Sequence, residues 1–322
     1  MKDFISLHDL TVSEVKGILD LAADLKDKQK KQVKHEYLWA KSLAMIFEKP
    51  STRTRVSFEI GIWQLGGLGI NLDQEATGLG TRESIPDVAR TLSRFADAIL
   101  IRTFAHEKVT ELAKYASVPV INALSDQSHP CQALSDIFTI IEKKAHKGPL
   151  RLKGLKMAYI GDGNNVCHSL MFAAAKVGLN MVIATPPGYE PNEQIVALAM
   201  ADAKKAGIEI SILNDPVIAA TNADVIYTDV WTSMGQEAES RKRKADFRNF
   251  QINEKLVKLA KPDYLFMHCL PAHRGEEVTD EVIESPNSVV FDQAENRLHV
   301  QKAILVKLLG DKQLELYLEN RG

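Results

Sequence analysis

Apolar residues at Val15, Ile18, Leu19, Ala22 and Leu25 recur at helical spacing straight after Thr11-x-x-Glu14, a capping box, and predict a first amphipathic helix. The unbroken apolar run Leu43 to Phe47 predicts a strand. After Pro50 the pattern changes to Val56, Phe58, Ile60, Trp63 and Leu65, which predicts a helix. Gly66-Gly67 then leads into a short strand near Leu68 to Leu72. Gln74 to Arg82 holds Gly78 and Gly80 without apolar periodicity and reads as a mobile loop. Ser84, Pro86 and Asp87 open a helix with Val88, Leu92 and Phe95 on one face. Strands follow at Ala98 to Ile101, ending in Arg102, and at Val118 to Ile121.

From residue 150 the alternation of strand and helix is plainer. Strands are predicted at Met157–Ile160, Met181–Ala184, Ile208–Leu213, Val225–Thr228, Tyr264–Met267 and Ser288–Phe291. Helices lie between them, one capped by Asp215-Pro216 and another by Asn253. Such a rhythm implies an α/β protein of two doubly wound domains, each a parallel sheet with helices on both faces. Lys147-Gly148-Pro149 is the expected boundary between them. Ligands of such sheets bind beyond the carboxyl ends of the strands, so the residues just past each strand are the ones to read for chemistry.

Composition narrows the classes. A chain of 322 residues with 45% hydrophobic and 25% charged residues is an ordinary globular protein with room for two cores. A formal net charge of -2 argues against a general nucleic-acid or membrane-surface binder, so any anion site is local. Cys131, Cys167 and Cys269 are odd in number and widely spaced, which disfavours a disulfide framework or a zinc knuckle. The start Met1-Lys2-Asp3-Phe4-Ile5 has neither secretory nor transit character, and no apolar run is long enough to span a membrane; a cytoplasmic protein is expected.

Ser51-Thr52-Arg53-Thr54-Arg55 concentrates hydroxyls and guanidiniums at a helix start, where free backbone N–H groups already favour an anion. A phosphate cradle is the favoured reading over a capped helix with solvated arginines. His129-Pro130-Cys131-Gln132 places a His and a Gln one turn apart at another helix start, able to grip a carbonyl or amide, or simply to cap the helix. Gly161-Asp162-Gly163-Asn164-Asn165 invites a dinucleotide reading. Its pattern is G-x-G-x-x-V, and Ala184-Thr185-Pro186 stands where a ribose-binding acid belongs, so Asn165 is read instead as a donor and acceptor for an amino-acid head group. Asp229 to Gly235 offers a carboxylate for an ammonium and a turn at Ser233-Met234-Gly235. In His268-Cys269-Leu270-Pro271, neighbours on a strand end point opposite ways, so His268 is not expected to serve Cys269 as a base. Arg241-Lys242-Arg243-Lys244 reads as a solvated charge run.

Taken together with Ala294-Glu295-Asn296-Arg297, these stretches resemble the ornithine carbamoyltransferases, within the aspartate/ornithine carbamoyltransferase superfamily. STRTR and HPxQ are common to the superfamily, whereas Ser-Met-Gly and His-Cys-Leu-Pro belong to the ornithine branch. The resemblance covers essentially the whole chain. It implies a carbamoyl-phosphate domain over 1–148, an ornithine domain over 149–296 and a C-terminal helix over 297–322 that returns to the first domain. It further implies that Ser51, Thr52, Arg53, Thr54 and Arg102 hold the phosphate, and that Thr54, Arg102 and His129 polarise the carbonyl oxygen. Gln132 and the Leu270 carbonyl would hold the carbamoyl nitrogen, with Cys269 and Arg297 at the same group. Asn165, Asp229, Ser233 and Met234 would grip L-ornithine, and Cys269 would position and activate it rather than form a covalent bond. The implied reaction yields L-citrulline and phosphate, in arginine metabolism, without metal or organic cofactor, in a homotrimer or a multiple of trimers.

Gly78 departs from the family, many of whose members carry there a Gln or His that reaches the carbamoyl phosphate of a neighbouring subunit; either Gln74 or Arg82 replaces that side chain, or the contact is weaker. Rival substrates within the family are putrescine and aspartate, disfavoured by the amino-acid grip and by Cys269 with the Ser-Met-Gly turn. From other classes come an NAD-dependent dehydrogenase built on Gly161 to Asn165 and a non-catalytic regulatory subunit.

Overall fold

The computed structural model describes residues 1–73, 77–144 and 152–310, which form two compact units. The first comprises Met1–Leu134 and the chain from Asn296 onward; the second is Ser135–Glu295. The divisions fall inside two helices, Pro130–Lys144 and Val290–Leu309. The connector expected at Lys147-Gly148-Pro149 lies outside the described residues, as does the end of the expected 297–322 segment.

In the first unit, β1 (Ser42–Phe47), β2 (Leu68–Asp73), β3 (Ala98–Arg102) and β4 (Val120–Leu124) form a wholly parallel sheet in the order β2-β1-β3-β4. Its helices start where side-chain caps take up their free N–H groups. Thr11 and Glu14 close the capping box of Val12–Lys30, Ser51 caps Thr52–Gln64, and Ser84 caps Ile85–Phe95. Ile46, Val88, Ile99, Ile101, Leu112 and Val120 meet in one buried cluster. Phe95, the last residue of its helix, does not join Val88 there and is 77% exposed. The chain from Asn296 is fixed to this unit by buried polar contacts: Lys26 Nζ donates to Asn296 Oδ1 at 2.7 Å, and Lys302 Nζ to Gln29 and Gln64.

In the second unit, β5 (Lys156–Ile160), β6 (Asn180–Ala184), β7 (Ile210–Leu213), β8 (Val225–Thr228) and β9 (Leu265–His268) form a second parallel sheet, β7-β6-β5-β8-β9. Ala158, Ile160, Ile226 and Phe266 pack from its strands against Phe247, Phe250, Leu256 and Val282. The strand expected at Ser288–Phe291 is instead a single bridge, Ser288 to Phe266, followed at once by the helix Val290–Leu309. Burial explains the difference: Val290, Gln293, Arg297, Val300 and Ile304 recur every three or four residues, whereas Phe291 is exposed. Among the described residues no helix is long and apolar enough to cross a membrane.

Candidate active site

Each sheet changes winding direction once. In the first unit the chain builds outward from β1 to β2, then from β3 to β4, so the switch lies between β1 and β3. In the second it builds from β5 through β6 to β7, then from β8 to β9, with the switch between β5 and β8. Loops diverge at such a switch and leave a crevice at the carboxyl ends of the strands. Most of the residues singled out from sequence lie at these two places.

At the first switch, Glu48 N donates to the Arg102 carbonyl at 2.9 Å, so the ends of β1 and β3 are tied together. The buried Glu48 carboxylate also takes Lys108 Nζ at 2.6 Å and the Thr103 hydroxyl. Beyond it, Ser51 Oγ accepts from Thr54 N at 3.3 Å and starts the helix. Thr52 is exposed, Arg53 half-buried and Thr54 buried, while Arg55 turns away to Glu59 at 3.0 Å. Arg297 Nη2 donates to Thr54 Oγ1 at 2.8 Å, which brings the helix after Asn296 onto the cradle. Arg102, His129 and Gln132 are all buried. Burial, with the Arg297 and Arg102 cations, pushes the His129 imidazole well below its ordinary value, so it is neutral at physiological pH. Its neighbour Cys131 is a packing residue: burial pushes that thiol up to about 12.

At the second switch, Asn164 rather than Asn165 carries the geometry. Asn164 caps the helix Asn165–Val177, its Oδ1 accepting from Val166 N and Cys167 N, and this orients its Nδ2 toward Asp229 Oδ2 at 2.8 Å. Asn165 is the first residue of the helix, and its carbonyl accepts from Ser169 Oγ. Asp229 directly follows β8, and Cys269, directly after neighbouring β9, donates its Sγ–H to Asp229 Oδ1 at 2.9 Å. Asp229 Oδ1 also takes the N–H of Val230. His268 faces elsewhere. Its Nε2 meets Glu277 at 3.2 Å and its Nδ1 accepts from Leu270 N at 2.9 Å, so it is no base for Cys269. Leu270 has φ +57°, in the left-handed region that a non-glycine residue rarely adopts.

Ser233 and Met234 lie in a turn closed by Gln236 N donating to the Ser233 carbonyl, with Met234 exposed. The chain just ahead of that turn is held by Arg243, which its run of basic residues predicts to be solvated. Arg243 is buried, and its Nη1 donates to both Asp162 Oδ2 and the Trp231 carbonyl. Burial, against the pull of Arg243, pushes the Asp162 carboxyl up to about 6. The glycines of the dinucleotide-like stretch have a local reason: a Cβ on Gly163 would lie 2.2 Å from Pro191 N. Gly78 is equally constrained, with φ +55° and room for no Cβ beside that of Arg82, whose side chain folds over it. Gln74 lies outside the described residues.

Among the described residues, Asp229, His268 and Cys269 group their ligand-type atoms within 4.8 Å, as do His273, Glu276 and Glu277. Hydrogen bonds already occupy both ring nitrogens of His268, and Lys244 pairs with Glu276.

The model of the family described as aspartate/ornithine carbamoyltransferase, carbamoyl-P binding domain, matches residues 2–142. The model of the Asp/Orn binding domain matches residues 153–308. An ornithine carbamoyltransferase of Thermococcus kodakarensis is 58% identical over 96% of both chains. An anabolic ornithine carbamoyltransferase of Pyrococcus furiosus is 57% identical over the same shares. The solved ornithine carbamoyltransferase structure from Pyrococcus furiosus aligns with a TM-score of 0.92 at 56% identity, covering 96% of this chain and 97% of that one. The anabolic enzyme structure from Campylobacter jejuni aligns over both full chains with a TM-score of 0.88 at 38% identity.

Proposed function

We infer the roles of single residues from one premise: the chain belongs to the aspartate/ornithine carbamoyltransferase family, and transfers the carbamoyl group of carbamoyl phosphate to the δ-amine of L-ornithine. In the first unit, Ser51, Thr52, Arg53, Thr54 and Arg102 bind the phosphate through hydroxyls, guanidiniums and the helix N-terminus. Thr54, Arg102 and neutral His129 donate to the carbonyl oxygen, and Arg297 fixes the Thr54 hydroxyl. Gln132 is the amide that recognises the carbamoyl group, and the Leu270 carbonyl is an acceptor for a substrate N–H.

In the second unit, Asp229 holds and deprotonates the substrate ammonium, with Cys269 and Asn164 orienting its carboxylate. Asn165, Ser233 and the Met234 backbone receive the α-amino and α-carboxylate groups. A free alkyl amine titrates near 10.4 and must lose its proton before it attacks. The amine nitrogen then bonds to the carbamoyl carbon and the carbonyl oxygen carries the charge; as the bond from that carbon to the phosphate oxygen breaks, the nitrogen's second proton passes to the departing phosphate. Citrulline and phosphate result. The observation that carries this reading is the row Cys269–Asp229–Asn164: a carboxylate fixed entirely by donors at the switch point, ready for a cation.

Product formation from carbamoyl phosphate, with ornithine, putrescine and aspartate supplied in parallel, tests it. Turnover is expected with ornithine alone. Preference for putrescine or aspartate would overturn the roles given to Asp229 through Met234 while sparing the phosphate cradle.

We also propose a homotrimer or a multiple of trimers. Leu68 and Ile70 on the edge strand β2 are exposed apolar residues on the first unit, a surface that association would cover. Light scattering of the pure protein is expected to give three times 35.8 kDa or a multiple; a monomer mass would refute it.

A further inference from the structure

A cavity of about 450 Å³ at the C-terminal end of Thr52–Gln64 takes no part in the reaction derived above. Its volume is that of a small-molecule site. Two indoles line it, Trp39 at 75% and Trp63 at 72% exposure, an unusual outlay of aromatic surface for a region with no assigned role.

Behind this wall lies Lys302, fully buried. Its Nζ donates to Gln29 Oε1 at 2.7 Å and Gln64 Oε1 at 2.9 Å, and lies 3.1 Å from His35 Nε2. The His35 ring has Nδ1 at 2.7 Å from the Val33 carbonyl, so Nδ1 carries the hydrogen and Nε2 accepts from the lysine. All three partners of the ammonium are therefore neutral. Among the described residues no carboxylate pairs with Lys302, and burying a cation without a counter-charge is costly. The lysine engages the carbonyl ends of Gln29 and Gln64, which leaves their NH2 ends for the cavity that both residues line. Glu36, also on the wall, is neutralised by Lys34 at 2.7 Å. The cavity thus combines one uncompensated positive charge, two amide donors polarised by it, and two flat apolar faces.

We propose that this cavity binds a planar aromatic monocarboxylate, its ring against Trp39 and Trp63 and its carboxylate on the amides of Gln29 and Gln64. One net positive charge suits a monoanion, and two NH2 groups suit two carboxylate oxygens. The indoles supply stacking that a simple inorganic anion could not use.

The chain has only three tryptophans, Trp39, Trp63 and Trp231, so 5-fluorotryptophan labelling gives three fluorine resonances, assignable by Trp39→Phe and Trp63→Phe. The full-length protein is titrated with indole-3-acetate, with indole as the uncharged ring and acetate as the ringless anion. The Trp39 and Trp63 resonances are expected to shift saturably while that of Trp231 stays. Indole-3-acetate should bind at least about tenfold more tightly than either control, and Lys302→Met should remove that advantage. Should Lys302→Met fold poorly, exposed Trp63→Leu, read at Trp39, serves in its place and should weaken binding by a similar factor. Equal binding of indole, or resonances that respond only to protein concentration, as at a contact between copies, would overturn the proposal.

Discussion

Asp229→Asn is expected to lower kcat for citrulline formation by about 10²- to 10⁴-fold, the span of a lost general base, while leaving the KM for carbamoyl phosphate nearly unchanged. Every contact that fixes this side chain is a donor: Cys269 Sγ–H and Val230 N–H on Oδ1, Asn164 Nδ2 on Oδ2. An amide at this position must turn its own NH2 toward one of those donors, and it can neither balance an ammonium nor accept its proton. The substitution therefore removes the chemistry and disturbs the geometry, with a stability cost of about 1–3 kcal/mol for the unsatisfied group. Cys269→Ser separates the two effects, because a hydroxyl still donates to Asp229. Because that contact is kept, a loss of less than about tenfold, under the roughly 1.4 kcal/mol worth of a whole contact, is expected if the thiol only orients the carboxylate. Near-wild-type turnover by Asp229→Asn, or complete loss in Cys269→Ser with a carbamoyl adduct on Cys269 of the unmodified chain, would overturn these roles.

The readable parts of this site are those set by local chemistry. Ser51 through Thr54 state a helix N-terminus crowded with donors, and the βαβ rhythm states where the loops of a doubly wound sheet must lie. What the sequence hid depends on contacts across the fold. Asn164, passed over beside the amino-acid candidate Asn165, pairs with Asp229, because the N-cap residue is the one whose side chain is turned by the helix start. An Asn ahead of Val166, Cys167 and Leu170 at helical spacing was the available signal. Arg243 sits in a run of four basic residues whose neighbours are exposed, and only the return of its segment to Asp162 buries it. Glu277, fully buried against His268, left no mark at all in the local pattern. The strand expected at Ser288–Phe291 failed for another reason: three apolar residues carry no period, and the buried positions beyond them, Gln293, Arg297 and Gln301, are polar.

Replacing His129 by Phe is expected to lower kcat by about 10²- to 10³-fold, the usual effect of losing one fixed donor to a developing oxyanion. The imidazole is buried at the start of Pro130–Lys144, and its own carbonyl accepts from Gln132 N and Ala133 N, which fixes the residue before any substrate arrives. The pH dependence separates a neutral donor from a protonated one. Burial and the cations of Arg297 and Arg102 all disfavour the imidazolium, so the ring has already lost its extra proton below the physiological range. Across the physiological range its charge does not change, and the acid limb of kcat/KM must come from another group, in this reading the ornithine amine. His129→Phe should therefore lower the whole profile without moving its inflection. His129→Gln, which restores an N–H donor that does not titrate, should recover part of the rate with the same inflection. If the acid limb shifted or vanished in either variant, His129 would be titrating in that range, and its role as a neutral donor to the carbonyl oxygen would be wrong.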